Sequence, residues 1–317
     1  MDGYKGALLS NLIENFNLTK DQSKKLICVI SVCDGYGAIK KSGKGQWVLR
    51  TNPNLELHSF AYDLFLYAYN IKLPMFFAPC KKGRQRSTEI YGNPIKNILK
   101  DLFLLTPGFK TCPAKILHEK PSTYFLQPQP TIKFLFNEPL WFQKIAFRLA
   151  LDLEGSIVTK FSVKKKTMEK YIYYQFQFEP SLQLSVTHPS LILEWQQLAD
   201  ILDIPLCVKL DKRIWTGLDG LRTSKQERII NFYRKIDGFL FQTLIYKSSS
   251  NHGNINNDNY SKNCVLKTCY ELITKFDHSC SKSFSTHEEA IEFRKDFINN
   301  YYIPLREKNK KCGPGEI

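Results

Sequence analysis

Two carboxylates lie at the end of an apolar segment in the middle of the chain, where they could hold a cation. Asp152 and Glu154 lie three residues and one residue before Gly155. The apolar residues before them predict a helix, so both carboxylates face the negative end of its dipole, at a cost of about 0.3–1 kcal/mol. A compensating cation is therefore expected. It is either a divalent metal, because hard cations prefer carboxylate oxygens, or a nearby Lys or Arg; alternatively the carboxylates cap backbone amides.

The same pattern occurs once more near the N-terminus, with one difference. Residues 29–39 read VISVCDGYGAI and residues 147–157 read FRLALDLEGSI. Aligning Gly37 with Gly155 places Tyr36 opposite Glu154. A phenol with a pKa of about 10 is a poor ligand for Mg²⁺ and does not supply the missing negative charge. Shifting the alignment by two residues places Asp34 opposite Glu154 instead.

Signals for the start of each helix favour the first of these alignments. A capping box begins at Thr19, and Asn137 is the expected N-cap of the second helix. Gly37 follows Thr19 by 18 residues, and Gly155 follows Asn137 by the same number. The first alignment therefore gives two helices of matching length, and in it Tyr36 replaces one acid.

Each copy continues with strand-like stretches and two further helices, so each is predicted to be an α+β half-domain. The first copy is predicted at 1–111, a proline-containing linker at 112–136 and the second copy at 137–247. A polar loop and a C-terminal helical extension follow at 248–317. The second copy is longer by about a dozen residues, in a sequence typical of strands and a hairpin. An internal duplication of this kind predicts a monomeric core.

The charge balance predicts a polyanionic partner. The chain has 45 Lys and Arg against 30 Asp and Glu, a net charge of +15, which in a chain rich in Tyr and Phe favours nucleic acid. No apolar run reaches the roughly 18–20 residues that span a bilayer, so no membrane is expected. Nine irregularly spaced cysteines and no secretory signal predict an intracellular protein with reduced thiols, in a mitochondrion, a chloroplast, or an archaeal or bacterial cytoplasm.

Polar and apolar side chains alternate in several predicted strands, and basic runs accompany them. A polar strand face can contact base edges, with Gln suited to adenine and Arg to guanine, although any half-buried antiparallel strand alternates in this way. The basic runs are candidates for phosphate contacts. The candidate nucleic-acid-binding residues are Arg50, Asn52, Lys81, Lys82, Arg84, Arg86, Lys160, Lys164, Lys165, Lys166, Gln175 and Gln177.

The paired Asp-x-acid-Gly helices, in this repeated layout, resemble the LAGLIDADG homing endonucleases in their single-chain, two-repeat form, over roughly residues 19–247. The resemblance implies two pseudo-twofold-related half-domains whose strands form a saddle on DNA, with the motif helices packed together at the interface. It also implies acids that hold Mg²⁺ over the scissile phosphates. It assigns Glu154 as catalytic and metal-binding, Asp152 as a second metal ligand and Asp34 as an alternative catalytic acid. The basic residue that assists near the end of the first repeat would be Lys110 or Lys115.

Two departures from the family pattern predict an impaired site. Tyr36 replaces an acid, and Leu149 stands where the family has a small residue at the helix crossing, which would keep the two helices apart. The leading hypothesis is a nucleic-acid-binding protein with lost or impaired cleavage. It would bind structured RNA, as a maturase or a ribonucleoprotein component such as a ribosome-associated protein. The alternative is an active, Mg²⁺-dependent, site-specific double-strand DNA endonuclease that uses Asp34 with Glu154.

Overall fold

The computed structural model describes residues 7–51, 54–71, 75–79, 86–109, 129–186, 189–209, 219–241, 260–276 and 281–311. Its helices are α1 (Ala7–Phe16), α2 (Lys20–Cys33), α3 (Leu55–Tyr69), α4 (Asn93–Leu105), α5 (Leu140–Glu154), α6 (Pro189–Ile201), α7 (Gln226–Arg234), α8 (Lys262–Lys275), α9 (His287–Phe297) and α10 (Ile303–Lys311). Its strands are β1 (Gly35–Ile39), β2 (Gly45–Thr51), β3 (Met75–Pro79), β4 (Arg86–Gly92), β5 (Gly155–Val158), β6 (Phe161–Met168), β7 (Tyr171–Phe178), β8 (Ser181–Val186), β9 (Cys207–Lys209), β10 (Asp219–Thr223) and β11 (Ser281–Phe284). None of these helices is long and apolar enough to cross a membrane.

The sheets repeat the same strand order, which confirms the α+β class and the duplication predicted from the sequence. The first four-stranded sheet has the order β1-β2-β4-β3, and the second has the order β5-β8-β10-β9. Numbered within each sheet along the chain, both orders are 1-2-4-3. The first strand of each sheet directly follows α2 or α5. The hairpin of β6 and β7 interrupts the second copy and belongs to a third sheet, β11-β7-β6.

Contacts between Cα atoms divide the chain into two compact units. Unit 1 is Met1–Gly155 with Leu184–Leu221, and unit 2 is Ser156–Gln183 with Arg222–Ile317. The hairpin of β6 and β7 therefore groups with the C-terminal extension. The boundaries at 111, 136 and 247 stay a prediction.

In unit 1 the motif helices α2 and α5 pack against each other, with Cα atoms within 8 Å. This close approach contradicts the expectation that Leu149 keeps the helices apart. Leu149 itself is completely buried. Ser31 of α2 makes two hydrogen bonds, one within its own helix and one to β2. Its hydroxyl donates to the Ile27 carbonyl at 2.7 Å and accepts the indole N–H of buried Trp47 at 2.9 Å. This pair fixes β2 on α2.

Two acidic residues hold the segment that leads into α5. Glu138 accepts hydrogen bonds from Lys25 at 2.6 Å and from the Gln22 amide at 2.8 Å, which joins the start of α5 to α2. Glu194 of α6 is 7% exposed; its carboxylate accepts from the Ile132 backbone N–H at 2.7 Å and the Thr131 hydroxyl at 2.9 Å. Both contacts join positions far apart in the chain.

Replacing Glu194 with Ala is expected to lower the free energy of unfolding by about 1.5–3 kcal/mol. The buried Ile132 N–H would lose a charged acceptor, and an unsatisfied buried donor costs about that amount. Urea denaturation followed by circular dichroism measures the change. Glu194→Gln is the matched control, since it keeps an acceptor oxygen and should cost less. Equal losses in the two variants would mean that the hydrogen bond to Ile132 is not what stabilises this segment.

The core of unit 2 lies between the third sheet and α9. Phe161 and Phe176 are buried, and both rings contact Phe297 of α9, with centroids 5.9 and 5.0 Å apart. A capping box at Thr286, formed with Glu289, begins α9. A proline that follows a helix is often where it ends, but Pro304 does not end this one, because α9 passes through a π-helical turn into α10. Pro304 lies in the first turn of α10, where a missing N–H is tolerated.

Candidate functional site

The ends of the two motif helices correct the alignment of the two sequence copies. Helix α2 has Thr19 as its N-cap and α5 has Pro139, not the predicted Asn137. Gly35, the first residue of β1, follows the N-cap Thr19 by 16 residues, and Gly155, the first residue of β5, follows the N-cap Pro139 by the same number. Gly35, not Gly37, is therefore the equivalent of Gly155. The assignment of Tyr36 to the acid position is wrong.

The local packing of the glycines supports the same correction. A Cβ atom on Gly35 would lie 2.5 Å from the Cα atom of Ser31, four residues earlier. A Cβ atom on Gly155 would lie 2.7 Å from the Cα atom and 2.6 Å from the carbonyl oxygen of Leu151, also four residues earlier. A Cβ atom on Gly37 would instead meet side chains from much later in the chain. The residues that precede the two equivalent glycines are Asp34 and Glu154.

The negative charges of Asp34 and Glu154 act on the same thiol, that of Cys33. Burial is the first reason that the pKa of the Cys33 thiol lies well above its usual value, and the negative charges of Glu154 and Asp34 raise it further. Both carboxylates are partly exposed. The packing of α2 on α5 thus brings an acid from each sequence copy to one place at the surface of unit 1. Asp152, by contrast, is 2% exposed, so Glu154 is better placed than Asp152 to meet a solvated ion.

This pair fits a magnesium ion that is completed by a bound phosphate. Mg²⁺ usually binds through one or two carboxylates together with water and substrate phosphates. No group of three or more His, Cys, Asp and Glu side chains that could hold a metal occurs among the described residues, so a cage made by the protein alone is not available there. Neither α2 nor α5 has a basic residue in its last turn. The two carboxylates would supply only part of a magnesium coordination sphere.

An exposed face of the first sheet adjoins Asp34. A surface pocket of about 450 Å³ is lined by Asp34, Tyr36, Gln46, Val48 and Arg50. Arg50 is exposed, and its backbone N–H donates to the Asp34 carbonyl at 3.2 Å. Trp47 and Leu49, the alternate residues of β2, are fully buried. Trp47, Leu49 and Arg50 follow the predicted alternation of β2, but Val48, on the same face as Arg50, is 6% exposed. Arg50 and Asp34 line the same pocket.

The same face carries polar residues of β4 that the sequence analysis missed. Glu89 accepts hydrogen bonds from the Ser87 hydroxyl at 3.0 Å, from the Gln46 amide at 3.4 Å and from the Tyr91 hydroxyl. The ammonium group of Lys40 lies 5.2 Å from the centroid of the Tyr91 ring. The alternation of Ser87, Glu89 and Tyr91 with buried Thr and Ile was the available signal. A carboxylate on this face can accept from the amino group of cytosine.

The predicted binding residues of the second copy lie elsewhere. Lys164, Gln175 and Gln177 were expected on the saddle, but the structure places them on the third sheet, outside both repeated sheets. Lys164 and Lys160 pair with Glu179, with nitrogen–oxygen distances of 2.5 and 3.9 Å. Burial alone would raise the pKa of Glu179, but hydrogen bonds from Lys164 and Ser162 bring it below its usual value.

The remaining predicted residues divide into three groups. Lys165 and Lys166 of β6 are exposed. For Arg86 only the backbone, in β4, is described. The last set lies outside the described residues and stays a prediction: Asn52, Lys81, Lys82, Arg84, Lys110 and Lys115.

No protein-family model and no curated protein sequence matches the chain. Solved structures do. A variant of the homing endonuclease I-DmoI is 12% identical with a TM-score of 0.42, over 68% of this chain and 90% of that one. The homing endonuclease I-WcaI bound to its DNA recognition sequence is 14% identical with a TM-score of 0.42, over 78% and 94%. The N-terminal LAGLIDADG domain of WhiA is 10% identical with a TM-score of 0.35, over 72% and 85%. The chain is an α+β protein whose fold is similar to that of the LAGLIDADG homing endonucleases.

Proposed function

We propose that this protein is a Mg²⁺-dependent endonuclease that binds and cleaves a specific site in duplex DNA. The observation that carries the proposal is the equivalence of Asp34 and Glu154 at the ends of two packed helices. The expectation of lost or impaired cleavage depended on Tyr36 in the acid position and on Leu149 at the helix crossing. The corrected alignment removes the first reason, and the packing of α2 on α5 removes the second. The site then has one carboxylate from each copy.

The chain's own residues account for positioning in this mechanism. Asp34 and Glu154 would hold the metal between two helix ends, whose packing fixes the separation of the carboxylates. When bound there, Mg²⁺ would polarise a phosphate oxygen and lower the pKa of a coordinated water. Arg50 offers a guanidinium group that can bind a phosphate or a guanine through two hydrogen bonds. It is presented on β2, which Trp47 holds against α2.

The direct test is to incubate the full chain with a library of random duplex DNA and Mg²⁺, and to sequence the cleaved ends. A single recurrent site is the expected result. Cleavage that does not depend on sequence, or that persists in excess chelator, would contradict the proposal.

Arg50→Ala is expected to weaken binding to the selected site by about 1–3 kcal/mol, roughly 5- to 150-fold in Kd. The reason is the loss of a two-bonded guanidinium contact from the exposed face of the first sheet. Fluorescence anisotropy at several salt concentrations measures the affinity. A phosphate contact would reduce the salt slope by about 1, whereas a base contact would relax the preference at one position. Arg50→Lys is the control that keeps the charge, and wild-type affinity in Arg50→Ala would exclude Arg50 from the interface.

Binding of structured RNA, as a maturase or a ribonucleoprotein component, is a second candidate function. The observation that favours it is the basic hairpin of β6 and β7, which belongs to neither repeated sheet. The two functions would use different residues. Crosslinking in cells, with RNA and DNA recovered in parallel, tests this candidate. Enrichment of a single intron or rRNA segment supports it, and recovery of one DNA locus alone contradicts it.

A further inference from the structure

The hairpin of β6 and β7 has one covered face and one bare face. Strands β6 and β7 pair from Phe161 with Phe178 to Met168 with Tyr171, and β11 adds to the other edge of β7. The inner face carries the aromatic residues that pack on α9. Because side chains alternate along a strand, the residues between them point away from this core. The bare face is therefore formed by a different set of residues.

Two tyrosines and two glutamines occupy the bare face of β7. Tyr171, Tyr173, Gln175 and Gln177 follow one another at intervals of two residues, or about 6.8 Å. Tyr171 is 75% exposed. The Gln177 amide donates to the side-chain oxygen of Gln175 at 2.8 Å. The result is a row of two rings and two oriented amides on the central strand of a sheet.

The exposed lysines of the hairpin lie near its turn, at the other end from the buried Phe161 and Phe178. Lys166 of β6 pairs with Tyr173, and Lys164 pairs with Gln175. Glu179 binds Lys164, as described above, and so reduces the positive charge near the glutamines. The exposed lysines 165, 166 and 170 form no ion pair with any residue whose placement the structure describes. Lys166, which pairs with Tyr173, lies on the same face as the rings, and Lys170 lies in the turn directly before Tyr171. Lys165 pairs with Tyr174 and lies on the opposite face.

This arrangement has the chemistry of a single-strand platform. Bases that are not paired stack on aromatic side chains, and lysines bind the phosphates that join them. A duplex cannot use such a platform, because its bases are already stacked on one another. Amide groups that both donate and accept hydrogen bonds suit a ribose 2′-hydroxyl, which DNA lacks. The row of rings, amides and lysines thus fits unpaired RNA better than duplex or single-stranded DNA.

We propose that the bare face of the third sheet binds unpaired RNA, with bases stacked on Tyr171 and Tyr173 and phosphates bound by the hairpin lysines. This binding site lies within unit 2 and uses none of the residues assigned to DNA cleavage. It is therefore a second nucleic-acid site. RNA binding at this site can be measured separately from DNA cleavage at Asp34 and Glu154.

The test is the affinity of the full chain for a labelled unpaired RNA oligonucleotide of mixed sequence, measured by fluorescence anisotropy. The double variant Tyr171→Ala with Tyr173→Ala should bind this RNA more weakly, by roughly tenfold per ring. The matched double variant with Phe at both positions keeps the rings and should bind as the wild type does. Binding and cleavage of duplex DNA should be unchanged in both variants.

Two outcomes would overturn the proposal. One is wild-type RNA affinity in the double Ala variant, which would mean that the rings do not stack on bases. The other is equal affinity of the wild type for RNA and for DNA of the same sequence, which would remove the role of the 2′-hydroxyl. Circular dichroism confirms that both variants fold, as the exposure of Tyr171 leads us to expect. If duplex DNA is not cleaved but RNA binding is normal, the result would contradict the proposed DNA endonuclease function and leave the RNA site unaffected.

Discussion

Asp34→Asn and Glu154→Gln are each expected to slow Mg²⁺-dependent cleavage of duplex DNA by roughly a hundredfold or more, with little change in binding. Each variant removes one negative charge from the metal site, and metal stabilisation of the transition state contributes several kcal/mol. Binding depends chiefly on contacts with the phosphate backbone and the bases, which neither substitution changes. Time courses on a supercoiled plasmid that carries the selected site measure nicked and linear products separately. A nicked product that accumulates would mean that each acid serves one strand.

The matched control for Asp34 is its near neighbour Tyr36. Tyr36→Phe keeps the ring that lines the pocket with Asp34 and removes only a hydroxyl, which holds no metal in the corrected alignment. Cleavage should therefore fall far less in this variant than in Asp34→Asn. If Tyr36→Phe lost cleavage while Asp34→Asn kept it, the alignment drawn from Gly35 and Gly155 would be wrong. A second measurement does not depend on activity. Mg²⁺ should raise the unfolding temperature of the wild type more than that of either acid variant, since a ligand stabilises the state that binds it.

The position of this site was only half predictable from the sequence. The capping box at Thr19 depends on local hydrogen bonds, and the structure confirms it. The start of α5 depends instead on distant residues, because Glu194 and Lys25 fix the segment before Pro139 from elsewhere in the chain. Asn137 resembles an N-cap only when those contacts are ignored. An error of two residues at one helix start was enough to exchange Asp34 for Tyr36.

The hairpin shows the same division between local and distant information. The alternation along β7 correctly predicted which residues share a face, since this follows from strand geometry alone. It did not show which sheet the strand joins. That choice depends on β11, roughly a hundred residues later in the chain, where the pairing of Ser283 with Gln175 could not be read from either segment by itself. Only the structure separates this surface from the repeated sheets.

Gly35→Ala and Gly155→Ala are each expected to destabilise the protein by about 1–3 kcal/mol, the usual cost of an added methyl group in a packed region. The upper part of that range applies, because the new Cβ atom would meet backbone atoms of Ser31 or Leu151 that cannot rotate away. The backbone of Gly155, with φ of −95°, suits any residue, so space alone demands glycine there. Chemical denaturation measures the loss.

Gly43→Ala is the informative comparison for these two substitutions. Gly43 has a φ of +78° and nothing within 4 Å of an added Cβ atom, so its substitution strains the backbone without a clash. That strain costs about 1 kcal/mol, and it lies in the turn between β1 and β2, away from the helix ends. In the variants at positions 35 and 155, the strand must move away from the helix that carries the acid. Cleavage should therefore fall in these two variants even where the fold persists, and it should be retained in Gly43→Ala. Equal cleavage in all three would mean that close contact of strand and helix does not position Asp34 and Glu154.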